Sequence, residues 1–429
     1  MRRRDFLAGV GATALAGGLA GCSHGFSLGG ADDDGITLRM TMWTSDPKQL
    51  ALFKRVAKEF VATNRSVSNI EFESLTLEQL DMVLTTGITA DDAPDLTWLP
   101  VESSLEYIEA DALLDAAPVL TSTDGYDYDD LVPKLQEPWR VGEAQYGVPF
   151  STGPLIMYFN KDLYAKAGVR SPKDLVADGE WTWESFRETS KQLTDETGLP
   201  GYVVNDFDFS NWTRLLPLLN AYGASPWNKD ATECTVDSPE MRQALGLFNG
   251  MVFEDRSSPV PDQQVDFWGG QAGATSAFLG SSTLLEGAPF DWDIVPTPGG
   301  PAGDVQALGQ SAIVALSAGK NHEAALAFLA HLTKAENAAR LSRFFPPARE
   351  SLLNAEVLAR SSGLLTEQQL GTIVDSITRN ARIFPVAPNA ASVANALDSA
   401  LDEFVYAPDV DLDQALPKVC NAVEPVLSA

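Results

Sequence analysis

Ile36-Thr37-Leu38-Arg39-Met40-Thr41-Met42-Trp43 alternates apolar and polar side chains, the period of a half-buried strand. The residues after this strand decide the fold class. Asp46-Pro47 supplies a helix N-cap and a proline for the first helical position. Leu50, Phe53, Val56, Ala57, Phe60 and Val61 then recur at helical spacing. Residues 70–72 read as a short strand. Thr76, with Gln79 three residues on, reads as a capping box opening another helix. Residues 95–99, after Ala93-Pro94, read as a further strand. Strand, helix, strand, helix, strand predicts a mostly parallel sheet of the α/β class. Ligands of such sheets meet the chain beyond the carboxyl ends of the strands. Trp43 closes the first strand and Trp98 lies near the end of the third, so both indoles are candidates for ligand contact as well as for the core.

Upstream, Arg3-Arg4-Asp5-Phe6-Leu7 reads as a twin-arginine export signal, followed by a weakly apolar run over residues 8–19. Leu19-Ala20-Gly21-Cys22 resembles the lipobox of bacterial and archaeal lipoproteins. The run is shorter than the roughly 20 apolar residues that span a bilayer. Residues 1–21 are therefore expected to be a signal peptide and Cys22 a lipidation site. Residues 22–35, with Gly, Ser and three successive Asp, read as a flexible tether. Together these features predict a protein at the extracellular face of the cell membrane, touching the membrane only through its N-terminal lipid. Gly9-Val10-Gly11-Ala12-Thr13-Ala14 fits a dinucleotide fingerprint, but it lies inside the signal with no strand before it.

The chain carries 59 acidic against 30 basic residues, a net charge of −29, which argues against nucleic acid or an anionic membrane face as partner. Its 429 residues suffice for two or three domains. Beyond Cys22 the cysteines are Cys234 and Cys420, either a disulfide or two buried thiols. His24, His322 and His331 are the histidines, with no HExxH, CxxC or Cys/His cluster, so no metal or other cofactor is expected. GxSxG and Walker A motifs are also missing.

A second region opens at Tyr146-Gly147-Val148-Pro149-Phe150. Residues 155–159, 290–295 and 312–316 read as strands, and 162–167, 210–222, 239–253 and 321–332 as helices. Thr182 caps a helix beginning at Trp183. The tail over 391–427 reads as helical, broken near Pro408.

Five blocks in this order resemble one family. They are Tyr146-Gly147-Val148-Pro149 with Tyr158-Phe159-Asn160-Lys161-Asp162-Leu163; Thr182-Trp183-Glu184-Ser185-Phe186; residues 291–298 with Gly299-Gly300; Lys320-Asn321-His322-Glu323-Ala324-Ala325 with Phe328-Leu329; and Pro347-Ala348-Arg349-Glu350-Ser351. From about Ile36 onward the chain resembles the extracellular solute-binding lipoproteins of ABC importers, in the carbohydrate-binding family that includes the maltose-binding proteins (family 1). The resemblance implies a two-lobe, class II periplasmic-binding-protein-like α/β fold with an interlobe cleft and a three-strand hinge. The N-lobe would take residues 36–150 and 296–345, the C-lobe 151–295 and 346–429. Hinge crossings are expected near residues 149–153, 293–297 and 345–348. Closure of the lobes would trap a sugar or oligosaccharide for delivery to membrane permease subunits. A monomer without enzymatic activity is expected.

Sugar C–H faces pack on aromatic rings, and sugar hydroxyls pair with carboxylates, amides and backbone groups. Trp43, Trp98, Trp212 and Trp268 are therefore the stacking candidates. Trp181, Trp183 and Trp292 fall in blocks that read as structural, and Trp227 in a surface turn. Ser151 and Thr152 sit at the first expected crossing. Asp46 reads as a helix cap, and Glu102 lies one helical turn beyond Trp98. Glu286 follows Gly280-Ser281-Ser282, where many sugar binders of the family carry a Gly-x-Trp. Arg349 either reaches the cleft or braces a lobe. Two alternatives stand beside the sugar: a polyol phosphate, for which Arg340, Arg343 and Arg349 are close in sequence, and a polyamine, for which the many carboxylates are available. A surface-tethered glycosidase would need a pair of carboxylates at fixed separation, and the order of the blocks argues against it.

Overall fold

The computed structural model describes residues 35–361 and 364–428; the expected signal peptide, Cys22 and the tether up to residue 34 lie outside them. Strand β1 (Ile36–Met42) leads into helix α1 (Pro47–Thr63). There the Asp46 carboxylate accepts from the backbone N–H groups of Lys48 and Gln49, donors that the first turn of a helix leaves orphaned. Phe53, Val56, Ala57 and Phe60 form the buried stripe of α1. Strand β2 (Val67–Ser74), helix α2 (Leu77–Ala90) and strand β3 (Leu96–Pro100) come next, with α2 opened by the reciprocal Thr76–Gln79 capping box. β1 pairs in parallel with both β2 and β3, the expected arrangement.

Seven more strands complete the two larger sheets: β4 (Gly147–Pro154), β5 (Ile156–Asn160), β6 (Tyr202–Val204), β7 (Ala274–Ala277), β8 (Trp292–Pro296), β9 (Gln306–Ala315) and β10 (Ala381–Ile383). The first sheet runs β10–β9–β3–β1–β2, with β4 also paired to β9; the second runs β8–β5–β7–β6. β9 ties the first sheet together, antiparallel to β3 and β4 and parallel to β10. The chain passes from β4 in one sheet to β5 in the other through Leu155 alone.

Helices α3 (Ser104–Glu109), α4 (Trp183–Thr197), α5 (Leu216–Tyr222), α6 (Pro239–Asn249), α7 (His322–Thr333), α8 (Glu367–Thr378), α9 (Ala390–Phe404) and α10 (Leu412–Leu427) pack around these sheets. Leu38, Phe53, Leu96, Ile313 and Phe328 are buried in one core, and Trp183, Phe186, Tyr202 and Phe248 in another. Each such side chain contributes about 1.5–3 kcal/mol relative to exposure. The helix expected over 210–222 starts instead as a 3-10 turn, Trp212–Leu215, because Pro217 occupies the first turn of α5, where its missing N–H costs nothing. Cys234 and Cys420 form a disulfide, Cα to Cα 5.4 Å, which pins α10 to the loop before α6. The Cys234 backbone N–H also donates to Glu424 Oε2 at 2.8 Å.

Candidate functional site

β4 at Ser151 and Gly153, β9 at Gly309, Gln310 and Ser311, and the segment Phe344-Phe345-Pro346 all line a cavity of about 420 Å³. Trp43, Asp81 and Glu102 line it after β1, on α2 and after β3; Trp212, Arg214, Trp227, Phe278 and Phe384 line it from later in the chain. Close packing sets the floor. Gly153 faces Gly309 across the β4–β9 pair, and a Cβ on Gly309 would stand 2.7 Å from the Phe278 ring, so glycine there lets Phe278 lie flush.

Trp43, Ser151 and Trp212, three of the sequence candidates, meet in this cavity. Trp43 stands edge-on to Trp98 with ring centroids 5.4 Å apart. Trp98 itself is 2% exposed and wedged among Phe53, Phe150 and Phe345, so it supports Trp43 from behind. Thr152 is fully buried; successive strand residues face opposite ways, and Ser151 takes the cavity side. Trp212 is held twice: its backbone N–H donates to Asp398 Oδ1 at 2.8 Å, and its ring packs on Trp227 at 5.4 Å. Its indole N–H has no partner among the described residues. Trp227 is not in a surface turn. Its indole donates to the Val386 carbonyl at 2.9 Å, and its strand-like pairing with Cys234 turns the ring inward.

The other candidates lie elsewhere. Trp268 lines a separate cavity. The Glu286 side chain is exposed and pairs with Lys48 at 3.4 Å. Arg349 is buried, stacked on Tyr126, with its guanidinium consumed by the carbonyls of Tyr126, Asp127 and Thr333 and by Asp130 Oδ2 at 3.1 Å. Of its two expected roles, this geometry is the bracing one.

Sequence reasoning missed Asp81, Arg214, Phe278, Phe345 and Phe384. Arg214 lies over the Phe278 ring at 5.0 Å, its Nε has no partner among the described residues, and the Asp206 carboxylate is 3.8 Å from its guanidinium. Burial pulls Arg214 below the usual guanidinium range, with Asp206 and Glu102 opposing. Burial pushes the Glu102 carboxyl up, partly offset by its own backbone N–H and by Arg214. Asp81 is also raised, by burial first and by Glu106 second. Glu106 in turn accepts from the Ala390 N–H at 3.0 Å, capping α9 where Asn389 supplies no side-chain cap. The cavity thus offers indole and phenyl faces, two carboxylates, one guanidinium and several hydroxyls. Among the described residues no group of three or more His, Cys, Asp or Glu is placed to hold a metal ion, and no helix is long and apolar enough to cross a membrane.

A mixed α/β chain with two sheets and an aromatic cavity floored by β4 and β9 has the plan of a class II periplasmic-binding-protein-like fold. The bacterial extracellular solute-binding protein family matches residues 44–339, and the chain belongs to that family. A putative binding protein of Brucella abortus is 25% identical over 94% of this chain and 97% of its own length. An ABC substrate-binding protein from Listeria monocytogenes, solved in complex with cycloalternan, has a TM-score of 0.79 at 22% identity, covering 92% of this chain and 99% of that one. A cyclic alpha-maltosyl-1,6-maltose binding protein from Arthrobacter globiformis has a TM-score of 0.75 at 20% identity, covering 92% and 99%.

Proposed function

We propose that this protein is a non-catalytic carbohydrate receptor that binds a sugar or oligosaccharide in the cavity floored by β4 and β9 and delivers it to the permease of an ABC importer. The observation that carries this reading is the convergence of Trp43, Trp212 and Phe278 with Asp81, Glu102 and Arg214 around one cavity. Rings accept the C–H faces of a sugar, and carboxylates and guanidinium take its hydroxyls. The indole N–H of Trp212 and Nε of Arg214 are buried without a hydrogen-bond partner among the described residues, polar groups at the margin of this cavity whose pairing breaks no bond already made. One cation flanked by two carboxylates is a poor seat for a phosphate, which wants clustered cations, and that cation also disfavours a polyamine. The sugar-bound and sugar-named proteins of the same fold point the same way.

In this reading the N-lobe is residues 36–150 with 296–345 and the C-lobe 151–295 with 346–429. Trp43 binds from the first and Trp212 from the second, so only closure gives a ligand both contacts. Export by the twin-arginine signal, lipid on Cys22 and a monomeric state complete the proposal, supported by the sequence of residues 2–22. The test is a thermal-shift screen of residues 22–429, with Cys22→Ser, against maltose, maltotetraose, lactose, mannitol, glycerol 3-phosphate and spermidine. A ligand at 100 times its Kd stabilises by about 2.7 kcal/mol, a shift of a few degrees. A shift with glycerol 3-phosphate or spermidine and none with any sugar overturns the reading.

A further inference from the structure

We infer a second carbohydrate-binding site in the cavity beside edge strand β6, with Trp268 as its stacking ring. This cavity, about 640 Å³, is lined by the segment following β6 and the loop leading to β7. Trp268 is half-buried in its wall. Its indole N–H is fixed on Asn205 Oδ1 at 3.2 Å, and its ring packs edge-to-face with Tyr158 at 5.6 Å and Phe267 at 5.2 Å. An aromatic ring so restrained loses little rotational freedom when a ligand stacks on it.

Beside apolar residues such as Phe207, Phe209 and Val260, the lining carries the polar groups of hydroxyl recognition. Gln263, Gln264 and Gln271 contribute amides, and Asp206, Asp208 and Asp266 contribute carboxylates. Amides donate and accept, and carboxylates accept, so adjacent sugar hydroxyls find both kinds of partner. Gln264 reaches Asp208 only at 3.4 Å, a weak bond that a hydroxyl readily replaces. Among the described residues no lysine or arginine lines this cavity, and of its three carboxylates only Asp206 has a cation near it, Arg214 at 3.8 Å, so the lining disfavours an anionic ligand relative to a neutral sugar. Among the described strands β6 pairs with β7 alone, and the Tyr202 N–H donates to the Ser257 carbonyl at 3.0 Å instead of to another strand.

The two cavities share a boundary. Asp206 lines the second, and its carboxylate is 3.8 Å from Arg214, which lines the first. The second cavity therefore adjoins the first at this ion pair. The choice of a carbohydrate rests on that proposal; the second site's position does not.

Maltotetraose binding to wild type, Trp212→Ala, Trp268→Ala and the double variant, read by saturation-transfer NMR and calorimetry, tests the inference. Trp212→Ala should lose the tighter event and keep a weaker one. The double variant should lose at least four-fifths of the remaining saturation signal, while Trp268→Ala alone leaves the tighter event within about twofold of wild type. Gln263→Ala with Gln264→Ala, both exposed, should weaken the same event in the Trp212→Ala background without disturbing the Tyr158 packing. Equal signal in Trp212→Ala and the double variant, or no signal in Trp212→Ala, overturns the second site even where wild type binds. A wild type indistinguishable from Trp212→Ala instead counts against the first cavity.

Discussion

Trp43→Ala is the most direct probe of the proposed receptor site, because its two consequences separate. Stacking a sugar ring on the indole removes on the order of 100 Å² of apolar surface from water, about 2.5 kcal/mol at roughly 25 cal/mol per Å². That predicts roughly a 70-fold rise in Kd. The stability effect is smaller. Trp43 is only half-buried, and its edge-to-face contact with Trp98 at 5.4 Å is worth about 0.5–1.5 kcal/mol. Trp98 remains wedged among three phenyl rings, so the floor beneath Trp43 stays in place. Calorimetry with the sugar found in the screen, on wild type, Trp43→Phe and Trp43→Ala, reads the first effect, and urea unfolding of the empty proteins reads the second. Trp43→Phe should fall between the other two. A Kd within about threefold of wild type in Trp43→Ala, with unfolding unchanged, refutes the stacking role, since the ring would then contribute less than about 0.7 kcal/mol.

The geometry yields three further outcomes. Asp398, raised to about 6 by burial despite the Trp212 N–H, holds its proton more tightly folded than unfolded, where carboxyls titrate near 3.9. Stability is therefore greatest below about pH 4 with respect to this group and falls as pH rises through 6, by up to about 3 kcal/mol. Asp398→Asn should flatten that part of the pH–stability curve and stabilise at pH 7; a curve of unchanged slope between pH 4 and 6 would contradict the assignment. Replacing Cys234 and Cys420 by Ser opens a loop of 186 residues and should cost about 5 kcal/mol in the chain-entropy account; a urea midpoint insensitive to the double change would refute it. Arg349→Met strands the Asp130 carboxylate and three carbonyl acceptors, a loss of about 3–5 kcal/mol, while sugar affinity measured on the surviving folded fraction should hold. A selective loss of affinity instead would move Arg349 into the site.

The opening βαβαβ unit was legible because its signals are local: alternation in β1, Asp46 before Pro47, and the Thr76–Gln79 box. β7 was not, because Ala-Thr-Ser-Ala carries no large apolar residue and no apolar alternation, and becomes a strand only between β5 and β6. β9 begins at Gln306, ahead of the expected 312, because its polar first half pairs with β10 and β4. α8 is a different case: it carries a local signal, the Thr366–Gln369 capping box, that the hydrophobic pattern around it does not draw out. At the site, indoles at element ends pointed to Trp43 and Trp212, which line the cavity, and the same rule brought in Trp98, which the Phe53–Phe150–Phe345 cluster absorbs. Arg214, Phe278 and Phe384 were invisible for another reason. Nothing local tells an arginine or a phenylalanine that it faces a cavity; that depends on which loops the two sheets bring together.

The hydrogen bond from Ala390 to Glu106 and the pair between Lys48 and Glu286 each join the side of the cavity bearing Trp43 or Glu102 to the opposite wall. An exposed pair is worth about 0–1 kcal/mol, and a helix cap about 1 kcal/mol. On the two-lobe reading proposed above, these two contacts add only a weak latch to closure. The empty receptor would then sample its entry state without help, and a guest would need to supply only a modest bias to keep the door shut.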